Sequence, residues 1–252
     1  MQNSLRNLSR LKISVCKDLE SLPEGWFPTT NFTEFRIFDS EKLEPLPNHA
    51  YNNNNCASLE KLDLRSSSPL ATGLLSHILD EGSFSYFTYL TSLSIFDVHI
   101  GKLCGLHRLY SLRELSLVKC DWVSFPEDGM FSFPSSLVFL AIRKFSNLEK
   151  LSFKDFENLV SLEKLHIRSC PELTSISELG RLPSLLDLVI SGCPNLASFL
   201  EQKLPLSLLY LSIEECPMLK RRCVKGKGKY WGFIAHIPEV MIDKRFVFDP
   251  SS

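Results

Sequence analysis

No run of apolar residues in this 252-residue sequence approaches the ~20 needed to cross a bilayer, so stable membrane insertion is not expected. The N-terminus, MQNSLRNLSRLKISV, has no continuous apolar stretch of the secretory kind. An excess of either charge is also missing: 28 Lys and Arg stand against 29 Asp and Glu. That balance argues against a dedicated nucleic-acid binder, although it excludes no local patch. Eight cysteines without a leader point to a reducing compartment where thiols stay free, hence a cytoplasmic chain. Histidines do not cluster with carboxylates or serines at a catalytic spacing, and His99 and His107 near Cys104 repeat no metal-ligand spacing. A non-enzymatic protein without cofactor or metal is the expectation.

What the sequence does contain is repetition. SLEKLHIRSCPEL begins at Ser161, SLLDLVISGCPNL at Ser184 and SLLYLSIEECPML at Ser207, a period of 23 residues. The shared pattern S-L-x-x-L-x-I-x-x-C-P-x-L at that period is the signature of a leucine-rich repeat. Working outward gives nine repeats, led by Leu8, Phe32, Leu59, Leu90, Leu112, Leu137, Leu162, Leu185 and Leu208, with starts 22 to 31 residues apart. The first already keeps the spacing through Leu11, Ile13, Cys16, Leu19 and Leu22, with no polar cap ahead of it.

In each repeat the apolar pair of L-x-[IL] alternates with polar residues at period two, which predicts one short strand. Stacked repeats set these strands parallel, with one face on an apolar seam and the other on a concave wall. Pro126, Pro134, Pro171, Pro183, Pro194, Pro205 and Pro217 disfavour helix interiors on the return stroke, so the convex side should be loops and short turns. The fold class is an α/β-type leucine-rich-repeat solenoid with a curved parallel sheet. Two interruptions are expected: an asparagine-rich turn at Asn48–Asn55 and an insertion at Ser66–Tyr89, part of which, Ala71–Leu79, could form an outer helix.

Residues 1–219 are assigned to the solenoid, and 220–252 to a basic turn, an apolar cap and a flexible end. The turn carries Lys220, Arg221, Arg222, Lys225, Lys227 and Lys229; without the full glycine spacing and a following Ser or Thr it reads as solvated rather than as a phosphate loop. Tyr230, Trp231, Phe233, Ile234, Ile237, Val240 and Ile242 should cover the ninth repeat, with Trp231 at least half buried.

Cys16, Cys120, Cys170, Cys193 and Cys216 share one position in their repeats. Side chains stacked this way point in the same direction, which suits a buried structural ladder better than disulfides or a tetrahedral zinc site. Candidate binding residues lie at outward strand positions. Arg143, Lys144, Lys164, His166 and Arg168 form a basic group in repeats six and seven, and Asp187, Tyr210, Glu214 and Glu215 follow in repeats eight and nine. This change of sign could set the register of a protein partner.

The C-P-x-L repeats, the S-L-x-x-L-x-I entries and the closing KYWGFIAHIPEVMID resemble the C-terminal repeat region of plant nucleotide-binding leucine-rich-repeat disease-resistance proteins, coiled-coil type. The motif positions are Trp231, Ile234 to Pro238, and Ile242 with Asp243. The resemblance implies a role in innate immunity: sensing pathogen effectors or guarded host proteins, and restraining a nucleotide-binding switch domain that this chain does not contain. Nucleotide binding is therefore not carried over. The alternative is the substrate-recognition repeats of an F-box ubiquitin-ligase adaptor, whose repeats also carry cysteine here but tend toward an outer helix. The L-x-G-x-I-P motif of plant receptor kinases is absent.

Overall fold

The computed structural model describes residues 7–22, 31–45, 57–79, 87–97, 103, 105–125, 132–154, 156–199 and 204–247. The asparagine-rich turn at 48–55, Val98, His99, Cys104, Pro126 and the chain end beyond 247 lie outside the described residues.

Each repeat contributes one strand where the period-two pattern places it. These are β1 (Arg10–Ser14), β2 (Glu34–Phe38), β3 (Lys61–Arg65), β4 (Ser92–Phe96) and β5 (Glu114–Val118). After the two-residue β6 (Ser124–Phe125) come β7 (Phe139–Arg143), β8 (Lys150–Ser152), β9 (Lys164–Arg168) and β10 (Ser175–Ser177). The series closes with β11 (Asp187–Ser191), β12 (Ser198–Phe199), β13 (Tyr210–Glu214), β14 (Glu239–Ile242) and β15 (Arg245–Phe246).

The nine repeat strands run parallel in chain order, followed by β14 and then β15, in one 11-stranded sheet. Their register keeps equivalent repeat positions side by side: Leu140 faces Leu165, which faces Leu188, which faces Leu211. Inward residues therefore form two unbroken columns, Phe35 to Leu211 and Ile37 to Ile213, and every described member is at most 2 % exposed. The column ends differ. At the first repeat Leu8, Leu11, Cys16, Leu19 and Leu22 are only partly buried.

Hydrogen bonds between repeats extend beyond the strands. The carbonyl before each strand accepts two consecutive amides of the next repeat, as when Val138 takes Glu163 and Lys164, and Glu163 takes Leu186 and Asp187. After the strand, Val15, Asp39, Asp97, Lys119, Lys144, Ser169, Gly192 and Glu215 all have φ between 43° and 63°. This left-handed conformation costs a non-glycine residue about 1 kcal/mol or more. It aims the amide at the next repeat: Lys119 donates to Arg143, Lys144 to Arg168, Ser169 to Ser191 and Gly192 to Glu214.

The left-handed turn also sends the next side chain inward. Cys120, Cys170, Cys193 and Cys216 are buried there, and each thiol donates to the carbonyl two residues earlier. In the second repeat Ser40 takes this place, accepting the Cys16 amide on Oγ and donating its own amide to Ser66 Oγ. Phe145 fills it in the sixth, edge-on to Trp122 at 5.2 Å.

The return stroke is more regular than the prolines suggest. Strands β12, β10, β8 and β6 form a second parallel sheet, where the expectation was loops and turns alone. The described prolines fall outside these short strands, so no ladder bond is lost. Helix α1 (Pro69–Leu79) occupies the predicted outer position and buries Leu70, Leu74, Leu75 and Ile78. Helix α2 (Pro217–Arg222) starts on a proline, which the first helical position tolerates because that amide has no partner in any case.

The C-terminal segment covers the ninth repeat. Tyr230, Ile234, Ile237 and Val240 are at most 2 % exposed, and Trp231 of the short α3 (Trp231–Ile234) is partly buried. Tyr230 is thus the principal aromatic anchor, with its ring 5.6 Å from Phe199. Strand β14 joins β13 in register and turns back through Asp243 and Lys244, both at positive φ as a two-residue hairpin requires. Asp243 ties this turn to the repeats, accepting the Glu215 amide at 3.1 Å and pairing with Lys220.

Replacing Tyr230 with Ala should cost about 3–5 kcal/mol and Trp231 with Ala less, because only Tyr230 is fully buried. Equal losses in chemical denaturation would contradict this anchor. The hydrogen bond from Lys220 and the Glu215 amide hold the Asp243 carboxyl below the ordinary carboxylate range. A depressed carboxylate adds stability above its unfolded pKa, and that stability is lost as pH falls through the folded one. Asp243→Asn should therefore lower Tm at neutral pH and change little once both forms are protonated; a pH-independent loss would point to another cause.

Candidate protein-binding face

The outward residues of the strands form three rows on the open face of the large sheet. The first runs Arg10, Glu34, Lys61, Ser92, Glu114, Phe139, Lys164, Asp187, Tyr210 and Glu239. The second runs from Lys12 through Arg36, Asp63, Ser94, Ser116, Ala141, His166 and Val189 to Ser212. On the third, Val118, Arg143, Arg168, Ser191 and Glu214 are successive neighbours. The left-handed residues continue this edge.

Charge on this wall falls into zones. Over β1 to β3 the arginines are matched: Arg10 and Arg36 pair with Glu34, and Arg65 holds Asp63 through two contacts of 2.8 Å. Arg65 and Lys12 also lie over the Phe38 ring, at 4.4 and 5.2 Å. At the other end Glu214 pairs with Lys244 at 3.0 Å, and Glu215 lies beside the Asp243–Lys220 pair through its amide. The acidic group is thus partly neutralised by the cap.

The basic group is not. Among the described residues Arg143, Lys144, Lys164 and Arg168 enter no ion pair. Arg143 Nε is buried without a hydrogen-bond partner. Burial, then Arg168 and Arg65, push the Arg143 guanidinium below its usual pKa, although it stays charged.

Between these zones the wall is polar and aromatic. His166 stands edge-on to Phe139, centroids 4.9 Å apart, with Nε2 at 3.7 Å from Asp187 Oδ1. Neither of those atoms has a hydrogen-bond partner, nor does Ser116 Oγ two strands away on β5. A depression of about 640 Å³ opens here, lined among others by Lys61, Glu114, Phe139, Lys164 and His166. Tyr210 belongs to a separate contact, its hydroxyl 3.4 Å from Met241 Sδ.

The predicted residues therefore separate into two groups, Arg143, Lys144, Lys164, His166, Arg168 and Asp187 around the centre, and Tyr210, Glu214 and Glu215 beside the cap. The sequence reading missed Phe139 and Ser116, whose outward positions follow from the same period. It also missed Lys119, exposed at the left-handed position with Nζ 5.2 Å from the Phe96 centroid. Among the described residues no three His, Cys, Asp or Glu side chains come close enough to hold a metal, and no helix is long and apolar enough to cross a membrane.

The fold is that of a leucine-rich-repeat solenoid. No protein-family model matches the sequence, and no curated protein does. Similar solved structures include the leucine-rich repeat domain of the type III effector XopL, at 19 % identity and TM-score 0.45, over 93 % of this chain and 76 % of that one. Another is the functional domain of InlJ from Listeria monocytogenes, described as including a cysteine ladder. It is 13 % identical with TM-score 0.45 over 84 % of this chain, which spans about half (48 %) of the InlJ chain.

The thiols of the cysteine ladder differ: hydrogen bonding to Cys193 lowers the Cys170 thiol. Hydrogen bonding to Cys170 raises the Cys193 thiol to about 12, and burial alone does the same for Cys223. Since the thiolate is the nucleophile, alkylation of the native chain near pH 8 should modify the partly exposed Cys16 well before Cys193 or Cys223. Mass spectrometry finding all three labelled at one rate without unfolding would contradict the ladder.

Proposed function

We propose that this chain is the protein-recognition domain of an intracellular plant immune receptor of the nucleotide-binding leucine-rich-repeat type. In this reading the open sheet face binds a pathogen effector, a guarded host protein or the receptor's own nucleotide-binding domain, and the last contact restrains the switch. The chain acts in the cytoplasm by binding, not by catalysis.

The observation that carries the proposal is the half-buried, unneutralised centre of the open face. Proteins normally pair charged groups that they bury in part. Here Arg143 Nε, His166 Nε2, Asp187 Oδ1 and Ser116 Oγ lack hydrogen-bond partners on one surface, the His166–Asp187 contact being 3.7 Å long. A macromolecule laid along the wall would satisfy them, and the change of charge from centre to cap would favour one orientation. The plant-receptor part rests on the closing motif, which here folds into the covering segment: Trp231 heads α3, Val240 enters the core, and Asp243 pins the last turn. Short strands on the return stroke, in place of a helix in each repeat, disfavour the F-box alternative.

The transcript upstream of the Met1 codon tests this reading. A nucleotide-binding domain in the same frame is the expected result; an F-box helical domain in that place would overturn it.

A further inference from the structure

We infer that the post-strand edge of β5, β7 and β9 is a docking site for a short acidic segment of a protein partner, read by Lys119, Arg143, Lys144 and Arg168. The inference deepens the protein-recognition reading above and rests on it.

The four cations occupy two adjoining rows. Arg143 and Arg168 are register neighbours at the strand ends, and Lys119 and Lys144 hold the left-handed positions just beyond β5 and β7. Among the described residues none of the four has a carboxylate partner. The one carboxylate that acts on Arg143, Asp63, is already held by Arg65 at 2.8 Å through both oxygens. Arg143 and Arg168 repel each other, so the free wall carries an electrostatic cost that an incoming anion would relieve. The left-handed backbone fixes where Lys119 and Lys144 leave the chain, because their amides are bonded to Arg143 and Arg168 carbonyls.

The limits of the cluster indicate what it fits. Along the left-handed row the residues before Lys119 are Val15, Asp39 and Asp97, and after Lys144 come Ser169, Gly192 and Glu215. Within these two rows unpaired positive charge is therefore confined to three strands, ~10 Å from first to last at the usual strand spacing, with carboxylates beyond each end. A nucleic-acid backbone, charged along its whole length, would meet repulsion on both sides. An extended peptide advances ~3.3 Å per residue, so a run of a few Asp or Glu would match the window and its neutral flanks would pass the acidic borders. Arginine presents a fork suited to carboxylate, and two such forks stand side by side here.

The test uses the full chain and a fluorescein-labelled peptide with four consecutive glutamates in a Gly/Ser context, followed by anisotropy. Its glutamine counterpart and an oligo-dT of similar length serve as comparison probes. The glutamate peptide should bind, weaken with salt, and exceed the glutamine peptide by about tenfold or more. Arg168→Gln and the exposed Lys144→Gln should each weaken it several-fold, while Lys150→Gln, on β8 of the other sheet, should not. Circular-dichroism melting identifies any variant that fails to fold, and Lys144→Gln, altering a solvated side chain, keeps the test decisive. No binding by the glutamate peptide, equal loss with Lys150→Gln, or equal binding of oligo-dT would overturn the inference. If the glutamate peptide fails to bind while the transcript upstream of the Met1 codon carries an in-frame nucleotide-binding domain, the broader recognition reading stands and only this one falls.

Discussion

Everything in this structure depends on the parallel, in-register hydrogen bonding of one repeat to the next. A five-residue strand cannot satisfy its own amides and carbonyls, and an unpaired buried peptide group costs about as much as a lost hydrogen bond. Each repeat completes its neighbour, and the requirement passes along the chain until something ends it. At the C-terminal end β14 takes the last edge, and β15, only two residues long, leaves little edge to template further pairing. Residues 230–240 meanwhile cover the end of the apolar column. Strict register also explains the buried columns, since a slip by one residue would turn every leucine outward.

The same register builds the open face. Because equivalent positions align, outward residues form rows whose chemistry can change from repeat to repeat without disturbing the core. The wall uses this freedom: matched ion pairs over β1 to β3, a polar and aromatic centre with unpaired cations over β5 to β9, and acids tied to the cap. Left-handed residues at the end of the strands add a further row held by backbone bonds, so the lysines there leave the chain at defined points. Strain in the turn is offset by the inter-repeat bond it permits and by the buried thiol or hydroxyl it sends inward.

Much of this was legible in the sequence because leucine spacing reports register directly. The nine strands, α1, the cysteine ladder and the apolar C-terminal segment all follow from period and composition. The left-handed turn was less visible because its positions hold Val15, Lys119 or Glu215 as readily as Gly192, so no residue type marks them. The second sheet was hidden by its brevity: two- and three-residue strands carry no period, and nearby prolines suggested loops. On the open face, the outward positions of His166 and Arg168 followed from the strand period. The division of the charges into free and consumed was not visible, because Lys244 and Lys220 reach Glu214 and Asp243 from the cap. Tyr230 was one of several aromatics in the closing motif, and its full burial beside Phe199 sets it apart from the partly buried Trp231.

Residue-resolved amide exchange on the native chain tests the stacking most directly. The amides of Lys119, Lys144, Ser169 and Gly192 sit on turns where local structure gives no reason for protection, yet each donates to the following repeat. The account predicts exchange slowed by roughly three orders of magnitude or more, equivalent to opening free energies of ~4 kcal/mol, and comparable to the adjoining strands. Exchange at the rate of an unstructured chain at those four positions, with the strands still protected, would contradict it.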